Sequence, residues 1–209
     1  NEMAIESHTM SILSRIIECK KRHCPLLAVL IDPNKPTVYQ TILPYLQEVD
    51  LVFVGGSTGE SIEPCISTLR EYTNTPLVLF PGNIAQFSPH ADALLFLSLL
   101  NARDADMLIT PHIKVAKQVL QSGIESIPMG YILLDGKRIS SVEKVSRCVP
   151  ILQNDVDHIV ATALAGQLLG KQLIYLEAGS GAKKVVSADI IRAVREQLQV
   201  PLIVGGGIC

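Results

Sequence analysis

The chain has 209 residues, of which 48% are hydrophobic and only 18% are charged. This composition excludes a disordered protein and predicts a single domain over residues 1–209 with a large buried core. A net charge of -2 gives no reason to expect nucleic acid as a partner, and no apolar run is long enough to cross a membrane.

Seven short apolar runs, rich in β-branched residues, alternate along the chain with segments of helical period. The runs predicted as strands cover residues 26–31, 51–54, 76–80, 93–98, 125–134, 172–177 and 201–204. Helices are predicted around residues 12–17, 38–46, 158–170 and 190–198, and Ser187 is the expected N-cap of the last one.

The strands are continuously apolar, which indicates a parallel sheet with helices covering both faces. Seven such strands without a linker predict an α/β protein, a (β/α)8 TIM barrel. An open doubly wound sheet would need a glycine fingerprint after its first strand, where this chain has Asp32-Pro33-Asn34-Lys35. Strand eight and its helix are absent, and a full barrel takes about 250 residues, so we expect the natural protein to continue. The alternative is a seven-stranded variant with an open edge to cover.

Glycines cluster after the last two strands, at the barrel end where active sites lie. The seventh strand is followed by Gly205, Gly206 and Gly207, and the sixth by a second flexible loop with Gly179, Ser180 and Gly181. Glycine lets a phosphate approach backbone N–H groups, and the N-terminus of a following helix adds positive potential. These loops therefore predict a phosphate site, against the alternative that they form tight turns alone.

A carboxylate and a hydroxyl end the first two strands. Asp32 follows the first strand and Ser57 the second, so both fall on the same rim of the barrel. One carboxylate, one hydroxyl, phosphate oxygens and water make a suitable shell for Mg²⁺. The alternative for Asp32 is to cap the turn that begins at Pro33.

Tyr175 and Glu177 alternate along the sixth strand and so face the same side of the sheet. A phenol and a carboxylate aimed into one cavity could hold a polyol and remove a proton from its hydroxyl. The other interpretation is that Tyr175 fills the core and Glu177 pairs with a lysine such as Lys183.

Five segments at the predicted strand ends and on one helix carry a family resemblance. They are IDPNK (31–35), VGGST (54–58), ATALAGQLLG (161–170), YLEAGSGA (175–182) and VGGGI (204–208). In order and rough spacing they resemble the geranylgeranylglyceryl phosphate synthase family, in the form of its archaeal and Bacteroidetes members. The family commonly shows Gly-Gln-His where this chain has Thr110-Pro111-His112.

The resemblance implies a Mg²⁺-dependent prenyltransferase of ether-lipid synthesis. It would join a prenyl diphosphate, geranylgeranyl diphosphate above all, to the 3-hydroxyl of sn-glycerol 1-phosphate. Asp32 and Ser57 would carry the Mg²⁺ that holds the diphosphate, and Glu177 would be the base. Glycerol phosphate would contact Tyr175, Leu176, Glu177, Ala178, Gly179, Ser180 and Gly181, and its phosphate would be gripped by Gly205, Gly206 and Gly207.

Two other functions remain open from the residues alone. One is a sugar-phosphate isomerase or aldolase on the same scaffold, and the other is a non-catalytic barrel that binds a phosphorylated ligand. The five cysteines include no C-x-x-C pair, which favours reduced thiols and a cytoplasmic protein. Members of the family are usually dimers or hexamers, so the resemblance also implies a homo-oligomer.

Overall fold

The computed structural model describes residues 10–35, 40–56, 61–83 and 85–207. All seven predicted strands are present, and they form one parallel sheet in chain order. The strands are β1 Ala28–Ile31, β2 Leu51–Val54, β3 Leu77–Leu79, β4 Ala93–Leu99, β5 Glu125–Leu133, β6 Leu173–Glu177 and β7 Leu202–Gly205. Within the described residues β1 and β7 are the two ends of the sheet.

The sheet curls, as contacts between distant strands show. Phe80 follows β3 and Tyr175 lies on β6, yet their ring centroids are 5.5 Å apart. Neighbouring strands are about 4.8 Å apart, so three spacings in a flat sheet would separate these rings by about 14 Å. The rings therefore meet inside a barrel-like wall. The predicted (β/α) barrel is confirmed as a curled sheet of seven strands, with no eighth strand in the described part of the chain.

The helices lie between the strands, with one helix before β1. They are α1 Ile12–Lys21, α2 Glu63–Tyr72, α3 Ala105–Leu108, α4 Thr110–Ser122, α5 Ser141–Ser146, α6 Val156–Leu168 and α7 Ala188–Gln197. Ser187 is the N-cap of α7, as predicted, because its hydroxyl accepts the N–H of Ile190 at 3.4 Å. None of the described helices combines the length and the apolar character of a transmembrane span.

The helix predicted over residues 38–46 is wrong in the part that the structure describes, residues 40–46. The pattern over residues 38–46 predicts an α-helix, but the described part holds a 3₁₀ helix, Leu43–Glu48. Pro44 explains the difference, since proline has no N–H to donate and its ring clashes with the carbonyl four residues earlier. Proline is therefore accommodated only in the first turn of the shorter helix.

Helix α1 lies across the amino-terminal end of the barrel. Its residues Ile12 and Ile16 pack into the inner core, beside residues of β2, β5 and β6. The N–H groups of Ile12 and Leu13 donate to the carboxylate of Glu125, at 2.7 and 2.9 Å. At the other end of α1, the ammonium of Lys20 donates to the carbonyls of Leu198 and Gln199. The base of the barrel is thereby closed, and the opposite end is left for the site.

Candidate active site

A cavity of about 1370 Å³ runs from the carboxyl ends of the strands, along β1 and β7, down to helix α1. Most of the predicted site residues line it, namely Asp32, Tyr175, Glu177, Gly179, Ser180, Gly181, Gly205, Gly206 and Gly207. The strand register explains the convergence, because Leu133 pairs with Glu177 and Glu177 with Gly205, which sets these strand ends level. Residues from the first and the last two strands thus line the same cavity.

The carboxylate of Glu177 is the most enclosed charged group of this rim. The side chain is 8% exposed, and the hydroxyl of Tyr175 donates a hydrogen bond to its Oε2 atom. The N–H of Gly179 donates to Oε1 at 2.6 Å. In the described part of the chain a phenol and an amide, rather than a lysine such as Lys183, therefore hold this carboxylate.

Burial sets the protonation of both groups. It raises the pKa of Glu177, and the bonds from Tyr175 and Gly179 counteract part of that rise. Burial, followed by the nearby Glu177 charge, raises the pKa of Tyr175 far above its usual value. The phenol therefore stays a hydrogen-bond donor at neutral pH, while a carboxylate with a raised pKa is suited to accept a proton there.

Glycine is required at two positions around this carboxylate. Gly206 has φ +87°, and a Cβ atom there would collide with Oε1 of Glu177 and lie 2.6 Å from the nitrogen of Gly179. Gly179 has φ +96°, and a Cβ atom there would lie 2.7 Å from that of Ser140. Both residues combine a left-handed backbone with close packing, so any larger side chain would displace the loops.

Leu176 and Ala178 lie on the other face of the sheet. Their side chains belong to the core layer between the sheet and helices α6 and α7. The alternation of a strand requires this, because Tyr175 and Glu177 point into the cavity. Their contact with substrate stays a prediction, and only their backbone atoms could make it. The N–H of Ala178 already donates to the carbonyl of Gly205 at 3.1 Å.

Aromatic rings cover the cavity wall next to Tyr175. Its ring centroid is 5.1 Å from that of Tyr131 and 5.5 Å from that of Phe80, and Phe80 also contacts Phe53 at 5.9 Å.

His112 has a structural role. Its Nε2 atom forms a hydrogen bond with the carbonyl of Leu97 at 2.6 Å, and burial lowers its pKa. It holds α4 against β4.

Asp32 stands on the β1 side of the same cavity. Its Oδ1 accepts the N–H of Asn34 at 3.0 Å, so it does cap the turn at Pro33, and its Oδ2 lies 3.3 Å from the Lys35 ammonium. The end of β2 is in contact with it, since a Cβ atom on Gly56 would lie 2.7 Å from Oδ1.

A magnesium ion fits this donor set only if it shares its shell with substrate. Within the described residues no group of three or more His, Cys, Asp or Glu side chains could hold a metal. Mg²⁺ is commonly bound through one or two carboxylates together with substrate phosphates and water, and one partly exposed aspartate on this rim matches that pattern. Ser57 lies outside the described residues, so its part in the shell stays a prediction.

Two buried glutamines that join the loops around the site were not predicted from the sequence. Oε1 of Gln86 accepts the N–H groups of Gly56 at 3.3 Å and Gly82 at 2.8 Å, which joins the loops after β2 and β3. Nε2 of Gln153 donates to the carbonyls of Asp135 at 2.9 Å and Lys184 at 3.3 Å, which joins the loops after β5 and β6. Isolated glutamines in polar segments carry no periodic or motif signal that would have revealed them.

Comparison with known proteins identifies the family. Residues 15–209 match the PcrB family. The chain belongs to this family. It is 48% identical over 202 residues to the geranylgeranylglyceryl phosphate synthase of Zunongwangia profunda, covering 94% of this chain and 86% of the relative. The synthase of Flavobacterium johnsoniae is 42% identical over 205 residues, covering 95% and 84%.

The solved structure of a relative has the same fold. The (S)-3-O-geranylgeranylglyceryl phosphate synthase of Thermoplasma acidophilum, solved with its substrate sn-glycerol-1-phosphate, superposes with a TM-score of 0.87 and 33% identity, over 95% of this chain and 82% of that one. The predicted resemblance and the enzyme class, a prenyltransferase, are thereby confirmed.

Proposed function

We propose that this chain transfers a prenyl group, geranylgeranyl in the first place, from its diphosphate to the 3-hydroxyl of sn-glycerol 1-phosphate. The observation that carries the proposal is the buried Tyr175–Glu177 pair, enclosed by the glycines at the ends of β6 and β7. The substrate named for the Thermoplasma acidophilum relative supports the same acceptor.

Glu177 would act as the base of this reaction. Its carboxylate takes the proton of the attacking hydroxyl while the new bond forms between that oxygen and C1 of the prenyl group. The bond from C1 to the diphosphate oxygen breaks, and the diphosphate leaves with the electron pair. The hydrogen bonds from Tyr175 and Gly179 fix the direction of the carboxylate, which removes the need to order it at each turnover.

The diphosphate end belongs to the opposite side of the cavity. We propose that Asp32 and Ser57 bind Mg²⁺ there together with the diphosphate. Bound Mg²⁺ would supply neutralisation of the leaving group's charge. Gln86 supports this end by fixing Gly56, which packs against Asp32.

The rest of the cavity suits an allylic chain. Phe80, Tyr131 and Tyr175 line it next to Glu177, and aromatic faces stabilise positive charge such as that developing on C1. Leu97, Leu99 and other apolar residues extend this lining and would cover the prenyl chain.

We further propose that the protein works as a homo-oligomer in the cytoplasm. Around α4, the exposed fractions of Ile109, Ile113 and Leu120 are 52%, 70% and 85%. Their spacing places them along one side of the helix, and an exposed apolar stripe of this kind is common where two copies meet. Light scattering on wild type and on Ile113→Glu/Leu120→Glu tests this: a smaller mass for the variant supports it, and an unchanged mass contradicts it.

The test of the activity uses labelled sn-glycerol 1-phosphate, Mg²⁺ and prenyl diphosphates of increasing length. Label that extracts into butanol, and the donor that gives it, reports transfer and donor choice together. Asp32→Ala should abolish extraction while binding of glycerol phosphate persists, and Asp157→Ala, an exposed aspartate on α6, should behave as wild type. No extraction with any donor, from protein shown to be folded, would contradict the proposal.

A further inference from the structure

Four exposed basic side chains stand together beside the cavity mouth. Lys137 and Arg138 lie on the loop after β5, and Lys183 and Lys184 on the loop after β6. Nη1 of Arg138 donates to the carbonyl of Gly181 at 3.2 Å, and Gly181 itself lines the cavity. The basic cluster therefore borders the predicted substrate loop.

The two loops form one rigid unit. The carbonyl of Gly136 accepts the N–H groups of Lys183 and Lys184, at 2.9 and 3.0 Å. The buried amide of Gln153 adds its two bonds to the carbonyls of Asp135 and Lys184. Because the backbones are tied at several points, the Cα positions of the four basic residues are held close together beside the cavity.

The charge of this unit is opposite to that of the chain. Residues 135–140 and 178–186 contain four basic side chains and one acidic one, Asp135, which gives +3 against -2 for the whole chain. Asp135 is paired with Lys137 at 2.6 Å. Within the two loops, Arg138, Lys183 and Lys184 thus remain to attract an anionic surface.

An exposed aliphatic side chain follows each basic pair. Ile139 comes after Lys137 and Arg138 and is 63% exposed, and Val185 comes after the two lysines of the second loop and is 46% exposed. Val185 adjoins the glycines that follow β7, since a Cβ atom on Gly207 would lie 3.2 Å from its Cγ1. Basic residues around protruding aliphatic ones are the combination that binds the interface of an anionic bilayer.

We propose that these two loops are a docking surface for membranes that contain anionic lipid. The inference rests on the proposed function in one respect: the donor and the product would carry a long prenyl chain, which partitions into a bilayer. A cavity mouth held against the membrane would exchange both without passing the chain through water. The activity gives the reason for docking, and the loops supply the contact.

The experiment is flotation of the full chain, without substrates, on two kinds of vesicle. Wild type should float with vesicles of equal parts phosphatidylglycerol and phosphatidylcholine, release in high salt, and stay behind with phosphatidylcholine alone. Each basic residue near an anionic surface contributes a factor of about five, so Lys183→Gln/Lys184→Gln should lower partitioning about thirtyfold. Ile139→Ser should lower it more weakly, through lost insertion.

Lys21→Gln/Arg22→Gln is the matched control, because it removes two exposed basic side chains at the end of α1, at the opposite end of the barrel. The proposal is overturned if wild type does not float, or if both double variants lose partitioning equally. It is also overturned if the loop variant floats as wild type but shows a raised KM for glycerol phosphate in vesicle-free buffer, since the cations would then attract soluble anions only. Flotation needs no turnover, so its failure and the failure of prenyl transfer are separate results.

Discussion

Tyr175 donates a hydrogen bond to Glu177, its neighbour on the inner face of β6. One carboxylate oxygen is thus held from within the strand, and the other by the N–H of Gly179 in the loop beyond it. The direction of the group is fixed on both sides before any substrate arrives.

Tyr175→Phe should lower kcat about 10- to 100-fold, the equivalent of one hydrogen bond to a charged group. It should also shift the acidic limb of the pH–rate profile to higher pH. The hydrogen bond from the phenol lowers the pKa of Glu177, and the variant loses that bond. Steady-state kinetics across pH measure both effects. Tyr131→Phe is the control, since the described structure gives its hydroxyl no hydrogen bond while its ring keeps the same contacts. An unmoved limb in Tyr175→Phe would refute the role of the phenol.

Glu177→Gln should abolish turnover and yet stabilise the protein. Burial raises the folded-state pKa of Glu177, so ionisation costs more in the folded chain than in the unfolded one. This cost is absent below the unfolded pKa, about 4.3, and grows as the pH rises through the folded value. Thermal unfolding should therefore show a gain in Tm at neutral pH that vanishes in acid.

Glu196→Gln, an exposed glutamate of α7, provides the comparison for that experiment. It should show no such pH-dependent gain in Tm. An equal gain at acidic and neutral pH for Glu177→Gln would mean that the carboxylate carries no cost of burial.

Gly206→Ala and Gly170→Ala separate backbone strain from damage to the site. Their φ angles are +87° and +85°, so the left-handed backbone alone should cost each variant about 1–2 kcal/mol of stability, and the collision at Gly206 adds to that cost. A Cβ atom on Gly170 meets nothing within 4 Å, whereas on Gly206 it strikes Glu177. Only Gly206→Ala should then raise the KM for glycerol phosphate. Denaturant unfolding measures the stability of both variants, and steady-state kinetics measure their KM. An equal KM in both variants would contradict a substrate site at Gly206.

Gln153→Leu should loosen the loops that border the substrate. It leaves the carbonyls of Asp135 and Lys184 without their buried donor, at a cost of about 1–3 kcal/mol. We expect a higher KM for glycerol phosphate with a smaller change in kcat. Gln167→Leu is matched to it, because Oε1 of Gln167 joins α6 to the segment before β7 at the closed end of the barrel. If both variants lose stability without any change in KM, Gln153 is structural only.

The strands were predictable because both of their faces are buried, which leaves continuous apolar runs in the sequence. The alternation of side chains along β6 was enough to place Tyr175 and Glu177 in one cavity. The barrel was predicted from the number and apolar character of the strands, but the contact of Phe80 with Tyr175 was not, since it joins strands that are not neighbours. The 3₁₀ helix was missed because apolar spacing outweighed Pro44, although the proline was visible.

The polar architecture of the site could be predicted only in part. Strand-end rules brought Asp32, Glu177 and the glycines to one rim, where the cavity now shows them. The rules say nothing about which amide crosses between loops, because such a bond joins residues far apart in the chain. Gln86 and Gln153 became recognisable only through their partners.

Helix α1 precedes all of the described strands but can dock only late during synthesis. The carboxylate of Glu125 that receives its N-terminus lies 113 residues further along the chain than Ile12, and the carbonyl that binds Lys20 lies 178 residues away. A nascent chain must therefore carry this amphipathic segment unpartnered while nearly all the strands emerge. Contacts of such long range form slowly. The floor of the barrel should thus assemble after the strands that it closes, and not as an early local unit.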